Sequence, residues 1–145
     1  MLRLSKKVEY GLLALQHMSA RPETTVSAKE VAEHFDISYE FLAKTMQGLA
    51  RQGFIRSIQG VRGGYVLARK PASFSVGDVI EALQGRPHIV ECIDSGTECD
   101  CGVSEKCTLR SPMSIIQQRI DDILASTSIA DLVAPVHTIT LPVPQ

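Results

Sequence analysis

Two short helical periods, each opened by its own serine, run directly into a glycine-rich hairpin loop, and this succession constrains the chain more than any other feature. Ser27 and Glu30 stand in the S-x-x-E relation of a capping box, in which each side chain satisfies a free backbone N–H at a helix start. Ala28, Val31, Ala32 and Phe35 then mark one apolar face. After the break at Asp36-Ile37, Ser38 can cap a second helix reaching about Gln52, with Phe41, Leu42, Met46 and Leu49 expected inward. Gly53 is the expected stop, because glycine takes the left-handed conformation without steric cost. Two β segments, residues 54–58 and 65–68, flank Gln59-Gly60-Val61-Arg62-Gly63-Gly64, and three glycines in six residues suit a loop that needs positive φ. A helix pair joined by a tight turn and followed by such a hairpin is a winged helix-turn-helix. The expected class is therefore mainly α with a small β-hairpin wing.

The flanking segments fit that frame. Val8, Leu12 and Leu15, extended by Leu4 and Met18, predict a helix over residues 5–20 that Arg21-Pro22 ends. Ser75 opens another, with Val76, Val79, Ile80 and Leu83 on one face and Gly85 after it. Ser111 as cap and Pro112 at the first helical position open a last long helix, whose apolar stripe is Met113, Ile116, Ile120, Ile123 and Leu124. The expected organisation is a DNA-binding domain over 1–85, a cysteine-rich loop over 86–110, a dimerisation helix and C-terminal segment over 111–134, and a proline-bearing tail over 135–145.

Charge is divided unevenly. Residues 1–70 carry 11 Lys and Arg against 6 Asp and Glu, a net of +5, whereas residues 71–145 carry 4 against 10, a net of −6. A basic half can follow a phosphate backbone while an acidic half is kept off it. In the helix-turn-helix the second helix enters the major groove and the first braces it. The outward positions expected to meet DNA are Ser38, Tyr39, Glu40, Lys44, Thr45 and Gln47, with Arg51 and Arg56 nearer the backbone. Arg62, with Gly63 and Gly64, sits on a loop thin enough to enter a minor groove.

Cys92, Cys99, Cys101 and Cys107 form C-x6-C-x-C-x5-C. No eighteen-residue apolar run predicts a membrane helix, and the charged start MLRLSKKVEYGLLALQHM lacks a small-residue cleavage site, so a cytoplasmic setting with reduced thiols is expected. Thiols clustered on a loop suit soft metals and iron–sulfur clusters. Zinc is the rival, although structural zinc sites usually repeat a C-x2-C knuckle that is missing here. Glu91, Asp94, Glu98, Asp100 and Glu105 surround the cysteines and disfavour bare thiolates, whereas a metal centre would supply compensating positive charge. No catalytic Cys/His setting or phosphate-cradling glycine loop before a helix occurs, so an enzyme is not expected.

In order, LRLSKKVEYGLLAL, ISYEFLAKTMQGLARQGFI, QGVRGGYVLARKP, FSVGDVIEAL, the cysteine loop and SIADLV make the chain resemble the IscR-like family of winged-helix transcription regulators from Met1 to about Val133. The resemblance implies a homodimer paired through the long C-terminal helix, residues 111–126, bound to a double-stranded DNA operator, and an iron–sulfur cluster of the two-iron or four-iron type. It implies three cysteine ligands with the last two five residues apart. Cys101 and Cys107 match that spacing and Cys92 matches the first, which leaves Cys99 as an alternative middle or fourth ligand. IscR-type members carry a histidine three residues after the last cysteine, where this chain has Arg110. In the nitric-oxide-sensing branch an N-terminal carboxylate from the partner subunit completes the site, and Glu9 holds the matching position, although Leu13 replaces the histidine that some members pair with it. The function so implied is a repressor whose DNA affinity follows its cluster, sensing iron, cluster status, nitric oxide or redox. The alternative is the same fold without a cluster, controlled by zinc, cysteine oxidation or a protein partner.

Overall fold

A computed structural model describes residues 3–93 and 101–134. Its elements run α1 (Lys6–Ser19), α2 (Ala28–Phe35), α3 (Tyr39–Arg51), β1 (Ile55–Ile58), β2 (Gly64–Leu67), α4 (Val76–Gln84) and α5 (Arg110–Ser126). The two strands pair antiparallel, with Ile55 opposite Leu67 and Ile58 opposite Gly64. The winged helix-turn-helix read from the sequence is the observed fold.

Among the described residues, four of the five α-helices start on a serine. The hydroxyls of Ser5, Ser27, Ser38 and Ser75 accept from the backbone N–H three residues on, each cap contributing about 1 kcal/mol. The reciprocal half of the box at Ser27 is absent. The Glu30 carboxylate turns instead to the buried His17 ring at 3.2 Å and to Arg21 at 3.5 Å. The complete box lies at Ser75, where Asp78 Oδ2 accepts from Ser75 N at 2.7 Å while Ser75 Oγ accepts from Asp78 N. At α5 the expectation fails. The helix begins at Arg110, its N-cap is Leu109 without any side-chain cap, and Ser111 and Pro112 lie inside the first turn. Proline is tolerated there because the first-turn N–H groups have no intrahelical partner.

The core gathers Val8, Leu15 and Met18 of α1, Val31 of α2, Leu42, Met46 and Leu49 of α3, Ile55 of β1, and Val79 and Ile80 of α4. Two positions on α3 trade places relative to expectation. Thr45, expected outward, is 1% exposed, its hydroxyl donating to the Phe41 carbonyl at 3.0 Å. Phe41, expected inward, is 41% exposed and sits edge-on to Tyr10 with centroids 5.4 Å apart. The physical reason is helical phase: residues 42, 45, 46 and 49 form the i, i+3, i+4, i+7 stripe, and position 41 lies at its margin. Phe35 is likewise only partly buried against the core.

The wing is tied to the helix pair by a pairing outside the two named strands. Val26 and Tyr65 exchange backbone hydrogen bonds of 2.9 and 2.8 Å, so the chain entering α2 forms a third edge beside β2. Gly64 permits the approach: a Cβ there would stand 2.7 Å from the Val26 carbonyl oxygen. At the other end of the chain, Ser128 bridges Ser75 and Ile129 is fully buried in the same core. Asp131 anchors this return by accepting from the Ser128 hydroxyl and backbone N–H, both at 2.8 Å, and these bonds hold its carboxyl below the usual range.

Gly64→Ala should destabilise the protein by about 1–3 kcal/mol, since a methyl forced against backbone must push the wing off Val26. Thermal unfolding followed by circular dichroism checks this. An unchanged midpoint would show that the wing does not depend on the Val26 contact.

Candidate functional site

Two surfaces concentrate the residues singled out above. The first is the exposed side of α3 together with the wing. Ser38, Tyr39, Glu40, Lys44, Gln47 and Arg51 are all exposed, Tyr39 at 56%. Glu40, Lys44, Gln47 and Arg51 succeed one another at spacings of four, three and four and so share one face. Ser38 is partly committed, because its oxygen already caps Phe41 N at 3.4 Å, which leaves its O–H to donate and one lone pair to accept. Thr45 is turned into the core and takes no place on this face.

At the wing, Val61 and Arg62 form the exposed tip. Gly63 and Gly64 shape the loop beneath it. Gly63 N donates to Gly60 O at 2.9 Å, and a Cβ on Gly63 would stand 2.6 Å from the Ile58 carbonyl oxygen. Their lack of side chains is what lets Arg62 project. Arg69, which sequence reasoning did not single out, lies over the rings of Phe54 at 4.8 Å and Phe74 at 5.2 Å, adding an exposed cation at the wing base. Arg56 is exposed on β1. The face can therefore offer hydroxyl and amide groups to base edges and a ring of cations to phosphates.

The second surface is a cavity of about 500 Å³ beside the start of α5, lined by Cys92, Cys101 and Cys107. Val90, Val103, Leu109 and Met113 supply apolar walls, and Glu91 and Arg110 supply charge. None of these three thiols is in a disulfide, and Cys101 is exposed while Cys92 and Cys107 are partly buried. Cys92 sits in a 3-10 turn, Glu91–Ile93, and Cys107 immediately precedes the segment leading into α5. Cys99 lies outside the described residues. Among the described residues no three His, Cys, Asp or Glu side chains are already gathered tightly enough to hold one metal ion. The donor set nonetheless fits an iron–sulfur cluster: soft sulfur ligands on loops, in a chamber that is otherwise mostly apolar. Arg110 brings positive charge to the rim and has no lone pair with which to ligate.

Glu9 does not line that chamber. It lines a separate cavity with Arg3, Leu4, Ser5, Lys6 and Gln84, and its carboxylate accepts from Lys6 Nζ at 2.5 Å. The two cavities share no lining residue. That pairing raises the Lys6 pKa, chiefly through the hydrogen bond itself. His88 is partly buried and lines neither cavity.

The apolar stripe of α5 is mostly unburied. Ile116 is 46% exposed, Ile115 and Ile123 are exposed too, and Met113, Ile120 and Leu124 are partly covered. No helix among the described residues is long and apolar enough to cross a membrane.

Comparison with known proteins agrees with this architecture. NsrR of Geobacillus kaustophilus, an HTH-type transcriptional regulator, is 30% identical over 133 residues, covering 90% of this chain and 89% of that protein. The solved structure of CymR, the global cysteine regulator of Bacillus subtilis, superposes with a TM-score of 0.75 at 28% identity, covering 92% of this chain and 97% of that one. IscR of T. potens superposes with a TM-score of 0.69 at 29% identity, over 91% and 86%. The family model described as Rrf2, iron-dependent transcriptional regulator, matches residues 4–135. With its winged helix-turn-helix, its exposed cationic face and that match over nearly the whole chain, the protein belongs to the Rrf2 family of transcriptional regulators.

Proposed function

We propose that this regulator is a cytoplasmic repressor whose affinity for its operator follows the state of an iron–sulfur cluster held by Cys92, Cys101 and Cys107. The observation that carries the reading is the lining of one chamber by three free thiols at the start of α5. Cys99 is the alternative middle or fourth ligand. Glu9, lying away from the thiols of its own chain, is the candidate fourth ligand from the second copy in a homodimer. When bound, the cluster would supply a redox- and ligand-sensitive centre of two or four irons. The chain's own part is to hold the thiolates, screen them with Val90, Val103 and Met113, and balance charge with Arg110.

Homodimerisation through α5 is supported by its exposed isoleucines, which gain burial only against a second surface. A two-fold dimer presents two copies of α3, and half-sites must lie about one duplex turn, ~34–36 Å, apart. A shift between α5 and the DNA-binding elements alters that separation and hence affinity. In this assignment Gln47, Tyr39 and the Ser38 hydroxyl face base edges, and Glu40 accepts from a cytosine amine. Lys44 and Arg51 meet phosphates, and Arg62, shaped by Gly63 and Gly64, enters the minor groove.

The direct test is an anaerobic visible absorption spectrum with iron and sulfide assayed on the same sample. Iron–sulfur bands with matched iron and sulfide are expected, and Cys92→Ser or Cys107→Ser should abolish them. A colourless protein that also resists reconstitution overturns the cluster. Bound zinc would then mark a zinc-stabilised regulator, and no metal would mark thiol oxidation or a partner.

Two further outcomes follow. Lys44→Ala should weaken DNA binding nearly uniformly across sequences and lower the salt-dependence slope by about one; an altered base preference would reassign Lys44 to base reading. Glu9→Ala should leave DNA binding in place but remove its dependence on cluster loading, as seen by titrating a labelled operator with loaded and metal-free protein. Retained dependence would exclude Glu9 as the link.

A further inference from the structure

The one buried residue of α5 is polar. Gln117 is 2% exposed in a helix that leaves several isoleucines at the surface. Both ends of its carboxamide are used. Oε1 accepts from Ile89 N at 2.9 Å, and Nε2 donates to Pro87 O and to Asp121 Oδ1, each at 2.9 Å. Asp121 also accepts from the Arg86 guanidinium. The partners of Gln117 outside its own helix therefore lie on one stretch, Pro87 and Ile89, which leads within three residues to Cys92. One helical turn before Gln117, on the same face of α5, Met113 lines the cysteine chamber.

Packing alone does not explain this choice. An apolar side chain of similar size would fill the same space but would take these bonds from the Ile89 N–H and the Pro87 carbonyl. What the carboxamide adds is register, because a donor and an acceptor at fixed separation accept only one placement of the Pro87–Ile89 backbone along α5. We infer that Gln117 is a positioning residue for the cysteine centre, clamping the lead-in to Cys92 onto the helix whose Met113 also lines the chamber. This inference rests on the reading of Cys92 as a ligand. It adds a physical link between the thiols and α5, so that displacement of Cys92 is felt at the helix through Ile89 and Gln117.

Gln117→Met keeps length and apolar bulk while removing the clamp, and Gln117→Asn keeps the amide but shortens its reach. The experiment begins with metal-free protein. Amide exchange at Ile89 is followed by NMR, and iodoacetamide alkylation of Cys92 is compared with that of Cys107 in the same sample. Both are repeated on whichever variant retains cooperative unfolding. Exchange at Ile89 should accelerate about tenfold or more, and Cys92 should change its alkylation rate relative to Cys107. After anaerobic loading with iron and sulfide, the variant should lose colour to a chelator faster than the parent and show an altered visible circular dichroism band shape. Unchanged exchange at Ile89 overturns the clamp. Faster exchange with an unchanged Cys92-to-Cys107 ratio overturns the positioning role and leaves Gln117 a structural residue. A parent protein that takes up no iron overturns the cluster reading alone, because the first two measurements need no metal.

Discussion

Burial of one face of α1 is the interaction on which the remaining architecture depends. Val8, Ala14 and Leu15 are fully buried and Met18 nearly so, and α1 meets α3, α4, β2 and the C-terminal turn. Each large apolar side chain removed from water contributes about 1.5–3 kcal/mol, which outweighs a single helix cap at about 1 kcal/mol. Gly11 adds to this by leaving room for Leu83, whose Cδ1 would lie 2.8 Å from a Cβ at that position. Without α1, α3 would keep only its packing on α2, α4 and β1, and β2 would lose its contact with the helix behind it. The recognition face is thus a consequence of packing behind it, and its own side chains are free to be chosen for DNA.

The division of labour also appears in charge. Lys44, Arg51, Arg56, Arg62 and Arg69 are exposed on α3, the wing and the wing's base. Asp78, Glu81 and Asp121, together with Arg86, line a groove between α4 and α5. Exposed cations of the first half thus lie on α3 and the wing, whereas acids of the second half line that groove.

Much of this was legible in the linear chain because the signals are local. Serine caps, glycine stops and the i, i+3, i+4 stripes located four helices, and the spacing of Cys101 and Cys107 picked out two thiols that line one chamber. The errors have physical causes. Helical phase near a stripe's edge is ambiguous, so Phe41 and Thr45 exchanged roles. The start of α5 lacks a capping side chain, and Ser111 was a false cue. Glu30 had a better partner in His17 than in its own helix end. Gln117 was invisible because a polar residue on a largely exposed helix reads as surface, and its partners lie 28 and 30 residues away. The Val26–Tyr65 pairing is a single bridge with no periodicity to announce it.

The unequal holding of the two ends of α5 has a mechanical consequence. Beyond its C-terminus, Thr127 accepts from Val76 N, Ser128 pairs with Ser75, Ile129 is locked in the core, and Gln16 of α1 holds the Leu132 carbonyl at 2.6 Å. Its N-terminal end abuts the thiol chamber instead. Seventeen residues at 1.5 Å each make a rod about 25 Å long, pivoted on the DNA-binding core and loaded at its far end. A small lateral shift at the chamber becomes an angular one about residues 127–129. Because the pivot belongs to the same core that seats α3, rotation of the rod in the proposed homodimer would swing both copies of α3 and leave their internal packing untouched.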